Sequence, residues 1–202
     1  MKLNIVMMLL LSLTLYSCSD SSKNLSPLSS EDTILAFGDS LTYGTGANKG
    51  KDYPTLLSNL TKINIINAGV PGEISSKGLE RLPKLLDEHN PSLLILIHGG
   101  NDILKKLPRN RHKENLIAMV ELAKARNIEV TMLGVPEPGI FLKSAEIYEQ
   151  VAIETNVPIE LSLLPDVLGD NSLKSDIAHP NNVGYQKIAE GILAFLENNG
   201  AL

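Results

Sequence analysis

What most restricts the fold of this 202-residue chain is an alternation of two patterns. Short apolar runs rich in β-branched residues stand at 33–37, 63–67, 93–98 and 130–135, with a weaker one at 157–161. Each is too short for a helix and is bounded by Gly, Asn or Pro. They are apolar along their length rather than alternating, which suits strands covered on both faces. The intervening segments carry helical spacing. Leu116, Met119, Val120, Leu122 and Ala123 share one broad face, and Ala145, Tyr148, Val151 and Ala152 share another. Tyr185, Ile188, Ala189, Ile192, Leu193 and Leu196 recur at three- and four-residue steps. Pro83 inside the segment 75–88 predicts that this helix is kinked or split. Five strands alternating with helices predict an α/β domain, a parallel sheet with helices on both faces.

Ligands of such sheets bind beyond the carboxyl ends of the strands, so the turns there are the place to look for chemistry. Gly38-Asp39-Ser40-Leu41 follows the first strand, Asn67-Ala68-Gly69 the second and Gly99-Gly100-Asn101-Asp102 the third. Asp176-Ile177-Ala178-His179-Pro180-Asn181 precedes the last helix. A serine hydroxyl is a weak nucleophile until a base takes its proton, and the base needs its tautomer fixed by a third group. Ser40, His179 and Asp176 fit those three roles, the last two at a spacing that one turn can close. An oxyanion would need preorganised donors, for which the N–H of Ser40, the N–H of Gly69 and the side-chain amide of Asn101 are candidates. Each piece alone has a plainer reading. Asp39-Ser40 could merely cap a helix, the Gly99–Asp102 run could be a turn, and a lone His before Pro is most often structural. Their joint position at the ends of alternate elements favours catalysis.

These blocks resemble the GDSL/SGNH hydrolase superfamily: Gly38-Asp39-Ser40-Leu41, Gly69, Gly99-Gly100-Asn101-Asp102 and Asp176-x-x-His179-Pro180, in that order, over nearly all of 33–197. Asn67-Ala68-Gly69-Val70 with Gly78-Leu79-x-Arg81-Leu82, and His179-Pro180-Asn181 with Gly184-Tyr185, are similar to the branch of acyl-CoA thioesterase I, lysophospholipase L1 and arylesterases. The resemblance implies a flavodoxin-like three-layer α/β/α sandwich, the SGNH hydrolase fold, with sheet order 2-1-3-4-5. It implies no metal and no cofactor, with Ser40, Gly69, Asn101 and His179 as family-defining positions and Asp176 completing the triad. The thioesterase branch carries a substrate-contacting loop with an Asn-Tyr-Gly run after its fourth strand. This chain has Gly134-Val135-Pro136-Glu137-Pro138-Gly139-Ile140-Phe141 there, so substrate preference does not transfer.

The start of the chain tells a separate story. Lys2, an apolar run over 5–15 and then Leu15-Tyr16-Ser17-Cys18 have the anatomy of a secretory signal and are too short for a membrane span of roughly 20 residues. Leu-Tyr-Ser-Cys resembles the bacterial lipobox, which would make residues 1–17 a signal peptide and Cys18 a lipidated N-terminus. Cys18 is the sole cysteine, so no internal disulfide can form. Residues 18–31, rich in Ser, are expected to be a tether, and 32–202 the hydrolase domain. Ser19 rather than Asp follows the cysteine, which in enterobacterial-type sorting favours an outer-membrane lipoprotein facing the periplasm. Membrane contact is then expected through the lipid anchor only, and the protein is expected to be monomeric.

The net charge of −5 without a compensating basic cluster argues against nucleic acid as a partner. No G-x-S-x-G surrounds Ser40, and the acid stands three residues before the histidine, which separates the chain from α/β-hydrolases. No metal-ligand spacing is present. His89 and His112 lie in polar segments and are expected to be solvated. His98 is read as a packed histidine, because no carboxylate stands at a comparable local spacing. The expected function is a serine ester hydrolase acting on an ester or acyl-lipid substrate, as a carboxylesterase, arylesterase, thioesterase or lysophospholipase. A non-catalytic lipid- or glycan-binding envelope lipoprotein on the same fold is the alternative. An FMN-binding electron carrier is disfavoured by the absence of Trp and of a Ser/Thr cluster after the first strand.

Overall fold

The computed structural model describes residues 25–139 and 141–202. The expected signal peptide, Cys18 and the first part of the tether therefore lie outside the described residues.

Strand β1 (Thr33–Gly38) leads through Asp39 into the short helix α1 (Ser40–Tyr43) and then α2 (Tyr53–Thr61). Strand β2 (Asn64–Gly69), helix α3 (Ser75–His89) and strand β3 (Leu93–Ile97) follow. Next come α4 (Gly100–Leu104), α5 (Arg109–Lys124) and β4 (Glu129–Leu133). A two-residue hairpin, β5 (Pro136–Glu137) with β6 (Lys143–Ser144), precedes α6 (Glu146–Thr155), β7 (Ile159–Glu160) and α7 (Leu163–Gly169). A 3₁₀ turn over Asn171–Leu173 and the long helix α8 (Asn182–Asn198) complete the chain.

The main sheet is parallel, in the order β2-β1-β3-β4-β7. The β5–β6 pair forms a separate hairpin, so β7 is the fifth strand of this sheet and the order is the expected 2-1-3-4-5. Residues 34–37 of β1 and all of β3 are buried. That burial explains their continuous apolar sequence, since side chains on both faces meet helices. Helices α2, α7 and α8 pack together, as do α3, α5 and α6, and these are the outer layers of a three-layer sandwich. Gly38 stands level with Gly69 on one side and Ile97 on the other. The loops after β1, β2 and β3 therefore leave one edge of the sheet side by side.

Three expectations are corrected. Helix α3 is not split: it runs unbroken from Ser75 to His89 with Pro83 inside. Pro83 removes one backbone donor, but buried Leu82 and Leu86 pin the residues on either side of it to the core. His112 is not solvated but 2% exposed, edge-on to the Tyr148 ring at 5.7 Å. The apolar face of α5 extends back to it, since 112 lies one turn before Leu116.

The third concerns the tether, of which the part from 25 onward belongs to the domain. Leu25 is buried in the core, its N–H donates to the Asn199 carbonyl at 3.1 Å, and the Leu28 N–H donates to Ala201 at 2.8 Å. Ser26 donates from its N–H and its hydroxyl to the Glu129 carboxylate, at 2.8 and 3.0 Å. Asp32 is hydrogen-bonded to the Ser92 hydroxyl. Two leucines and a paired carboxylate suffice to dock a segment whose serine content alone suggests disorder. Among the described residues no helix is long and apolar enough to cross a membrane.

Candidate active site

Asp39 ends the chain's run along β1. Its side chain accepts from the Leu41 N–H at 3.1 Å and caps α1, which sets Ser40 at the first helical position. The N–H groups of a first helical turn have no partner within the helix, so the Ser40 amide and hydroxyl both stand at the edge of the sheet. The C-terminal loop brings its base to that hydroxyl. His179 Nε2 lies 3.0 Å from Ser40 Oγ, and His179 Nδ1 lies 2.8 Å from Asp176 Oδ2.

The Asp-x-x-His spacing works as an Asx-type turn. Asp176 Oδ1 also accepts from the N–H groups of Ala178 at 2.7 Å and His179 at 2.9 Å. Asn181 anchors the loop's far end, capping α8 through Val183 and Gly184 and donating to the carbonyls of Ser172 and Lys174. With Asp176 accepting a hydrogen bond from Nδ1–H, Nε2 is left as the acceptor that faces the hydroxyl. Burial alone would raise the Asp176 carboxyl, but the bonds from Ala178 and His179 outweigh it and hold the group below its usual range.

Asn101 is the second residue of α4, and its Nδ2 donates to the Glu73 carbonyl at 3.0 Å and more weakly to Asp39 Oδ2 at 3.4 Å. Asp39 is 1% exposed. Burial pushes its carboxyl up, opposed by the charges of His98 and His179 and by the N–H groups of Leu41 and Gly100. Asp102 supports the loop. It accepts from the Ser75 N–H at 2.7 Å and the Ser75 hydroxyl at 2.6 Å, capping an α3 that has no side-chain cap of its own. The turns after β1, β2 and β3 are thus tied to one another by Asp39, Asn101 and Asp102.

Gly69 is not where a substrate-facing donor should be. It is the last residue of β2, with its N–H donating to Asn67 Oδ1 at 3.0 Å. A side chain there would meet the backbone of Tyr43, so its glycine lets α1 close onto β2 rather than a substrate onto the chain. Gly72, three residues on, lines the cavity beside Ser40 and Asn101 with φ +78°. That left-handed conformation favours glycine. The sequence reading ends the second strand at 67, whereas β2 runs to Gly69, so the turn that follows it holds Gly72.

Glu73 was not legible at all. Its carboxylate takes Nε and Nη2 of Arg81 at 2.7–2.9 Å and His98 Nε2 at 3.1 Å. Arg81 in turn donates to the carbonyls of Gly38 and Ala68 and lies 4.1 Å above the Phe37 ring. Partial burial would raise the Glu73 carboxyl, but His98 and Arg81 hold it below its usual value. His98 is packed, as expected, but it does have a carboxylate, supplied from 25 residues away.

A cavity of about 500 Å³ opens from Ser40 and His179. Its walls are largely apolar, with Leu41, Leu104, Val135, Pro138, Leu142 and Leu168 among them. Residues 135–139 and Leu142 of the β5–β6 hairpin form one side, so the loop that departs from the thioesterase branch is itself a cavity wall. Ile177 and Leu104, 93% and 58% exposed, leave apolar surface at the mouth.

The model of the GDSL-like lipase/acylhydrolase family matches residues 36–187. Thioesterase 1/protease 1/lysophospholipase L1 of Escherichia coli K12 is 30% identical over 167 residues, 79% of this chain and 80% of that protein. An arylesterase of Vibrio mimicus is 30% identical over 195 residues, 91% and 95% of the two chains. Among solved structures, the psychrotrophic esterase EstA from Pseudoalteromonas sp., inhibited by monoethylphosphonate, superposes with a TM-score of 0.74 at 25% identity. That match covers 82% of this chain and 97% of the other.

Proposed function

The chain belongs to the GDSL-like lipase/acylhydrolase family and is a hydrolase of ester bonds, and from its site we propose that Ser40 is the nucleophile of a Ser40–His179–Asp176 triad. The observation that carries this is the pair of contacts to one imidazole, Ser40 Oγ on Nε2 and Asp176 on Nδ1, at the end of an apolar cavity. A protein that only bound lipid or glycan would have no use for that pairing.

In the reaction, Ser40 Oγ attacks the ester carbonyl as its proton passes to His179 Nε2. Asp176 stabilises the resulting imidazolium. The carbonyl oxygen gains the negative charge, facing the N–H of Ser40, Nδ2 of Asn101 and, in place of Gly69, the N–H of Gly72. Collapse expels the alcohol or thiol, which takes the proton from His179. Water, deprotonated by the same histidine, then releases the acid and restores Ser40. The apolar walls suit an acyl or aryl group. We also propose that the chain is exported and lipidated on Cys18, as the leader and lipobox read.

A panel of aryl esters from acetyl to palmitoyl, with acyl-CoA and lysophospholipid beside it, tests the reading. Turnover of at least one class, together with fluorophosphonate labelling on Ser40, is the expected result. Labelling on a different serine would overturn it.

Asp176→Asn is expected to lower kcat by about 10²-fold with little change in KM. Loss of a buried triad carboxylate costs on the order of 10⁴, but the Asp176 side chain is 52% exposed, so water can replace part of its effect. Because the native carboxyl is held low, its contribution to stability is present above the unfolded-state value of about 3.9 and fades as pH falls through the lower native one. Acid unfolding of the Asn variant should accordingly depend less on pH in that range than that of the parent. An unchanged kcat would remove Asp176 from the triad.

A further inference from the structure

The N-terminal segment docks at one end of the sheet and the candidate active site opens at the other. Ser26, Leu28 and Asp32 lie against residues 90–92 and 126–129, which immediately precede β3 and β4. Those are the amino ends of the strands. Ser40, Gly72 and Asn101 follow the carboxyl ends of β1, β2 and β3. In a parallel sheet these ends are opposite edges of the molecule, and the docking of Leu25 and Leu28 beside Asn199 and Ala201 keeps the chain's entry fixed at the amino edge.

Lengths decide what this means for an anchored protein. Cys18 stands seven residues before Leu25, and a fully extended chain covers at most about 3.3–3.6 Å per residue, so the link can reach no further than roughly 25 Å. A folded domain of this size has a radius of gyration of about 16 Å and hence a diameter on the order of 40 Å. To bring the cavity mouth onto the bilayer that holds Cys18, the amino edge would have to rise by about the full diameter. The link is too short for that.

We infer that the lipid anchor holds the active site facing away from its own membrane, so that the enzyme acts on ester molecules arriving from the aqueous side and not on acyl lipids of the leaflet that carries it. The inference rests on lipidation at Cys18, which the proposed function includes. The apolar cavity then serves the acyl or aryl part of a dispersed ester, and Ile177 and Leu104 at its mouth face water or whatever surface lies opposite.

The test uses the full-length lipidated protein in phosphatidylcholine vesicles, after the mass of its N-terminal peptide has established acylation of Cys18. An unacylated peptide would overturn the lipidation reading by itself. The substrates are umbelliferyl butyrate in solution and the same ester group joined to a dialkyl tail in the same vesicles. Cys18→Ala protein, free in solution, is the comparator. Both forms should cleave the soluble ester at rates within about twofold. For the membrane-held ester the anchored form should be at least tenfold slower than the free form, although confinement at a surface would ordinarily raise encounter. Inserting fifteen Gly/Ser residues between Lys23 and Asn24 should restore that rate and leave soluble-ester turnover unchanged. An anchored form that matches or exceeds the free form on the membrane-held ester, or an insertion without effect on a slowed rate, would overturn the orientation while leaving the triad untouched.

Discussion

Ser40→Ala is expected to abolish ester hydrolysis while the protein unfolds within a few degrees of the parent. Removing a serine nucleophile from a triad costs on the order of 10⁶ in kcat, because the remaining members have nothing to activate. The stability forecast follows from what the hydroxyl touches. Its hydrogen bond is to His179 Nε2, on a loop held independently by Asp176, Asn181 and the pairing of Lys174 with Pro180. The Asp39 cap of α1 runs through the Leu41 amide and survives the change, and alanine is a good helix former. A surface-type change of about 0.5 kcal/mol or less is therefore expected. Thermal melting, turnover of the best aryl ester and fluorophosphonate labelling on one preparation decide the matter. Turnover that survives, with Ser40 unlabelled, would show that the nucleophile lies elsewhere.

Asn101→Ala should lower kcat by about 10²–10³ and leave KM nearly unchanged, the effect of deleting one oxyanion donor. The substrate carbonyl is neutral on arrival and becomes an oxyanion only as Ser40 attacks, so a donor placed for the later state acts on the transition state. Here the structure adds a second consequence. Asn101 Nδ2 also donates to the Glu73 carbonyl and approaches the buried Asp39 carboxylate, and stranding buried polar groups costs about 1–3 kcal/mol. The variant should thus melt several degrees lower as well. If Asn101 only braced the turn, the melting temperature would fall and kcat would hold. The N–H groups of Ser40 and Gly72 remain, so residual turnover should exceed that of Ser40→Ala.

The layers of the fold were legible because burial on both faces writes a simple pattern, unbroken apolar strands between helices of fixed period. That Ser40, Asp176 and His179 would meet was legible for a related reason: each lies next to a strand end or within one turn of its partner. What escaped is non-local. Glu73 meets Arg81 eight residues on and His98 just beyond the next strand, and no local spacing announces either. Gly69 and Gly72 differ only in where β2 stops, and strand ends are what periodicity fixes least. His112 carries a polar name on an apolar face. The docking of Leu25 depends on a surface made by residues 129 and 199, which a local reading of serine content cannot see.

Ser40 and His179 touch across a separation of 139 residues, and Asn101 reaches back 62 to Asp39 and 28 to Glu73. The proposed active site is therefore a property of the finished topology. No fragment ending before the last loop contains the base proposed for Ser40, and closing a loop over such a span carries an entropic cost. A chain that has not finished folding would, under the proposed triad, carry Ser40 without its base. On that assignment Ser40 could attack an ester only once the β1 edge and the start of α8 have come together.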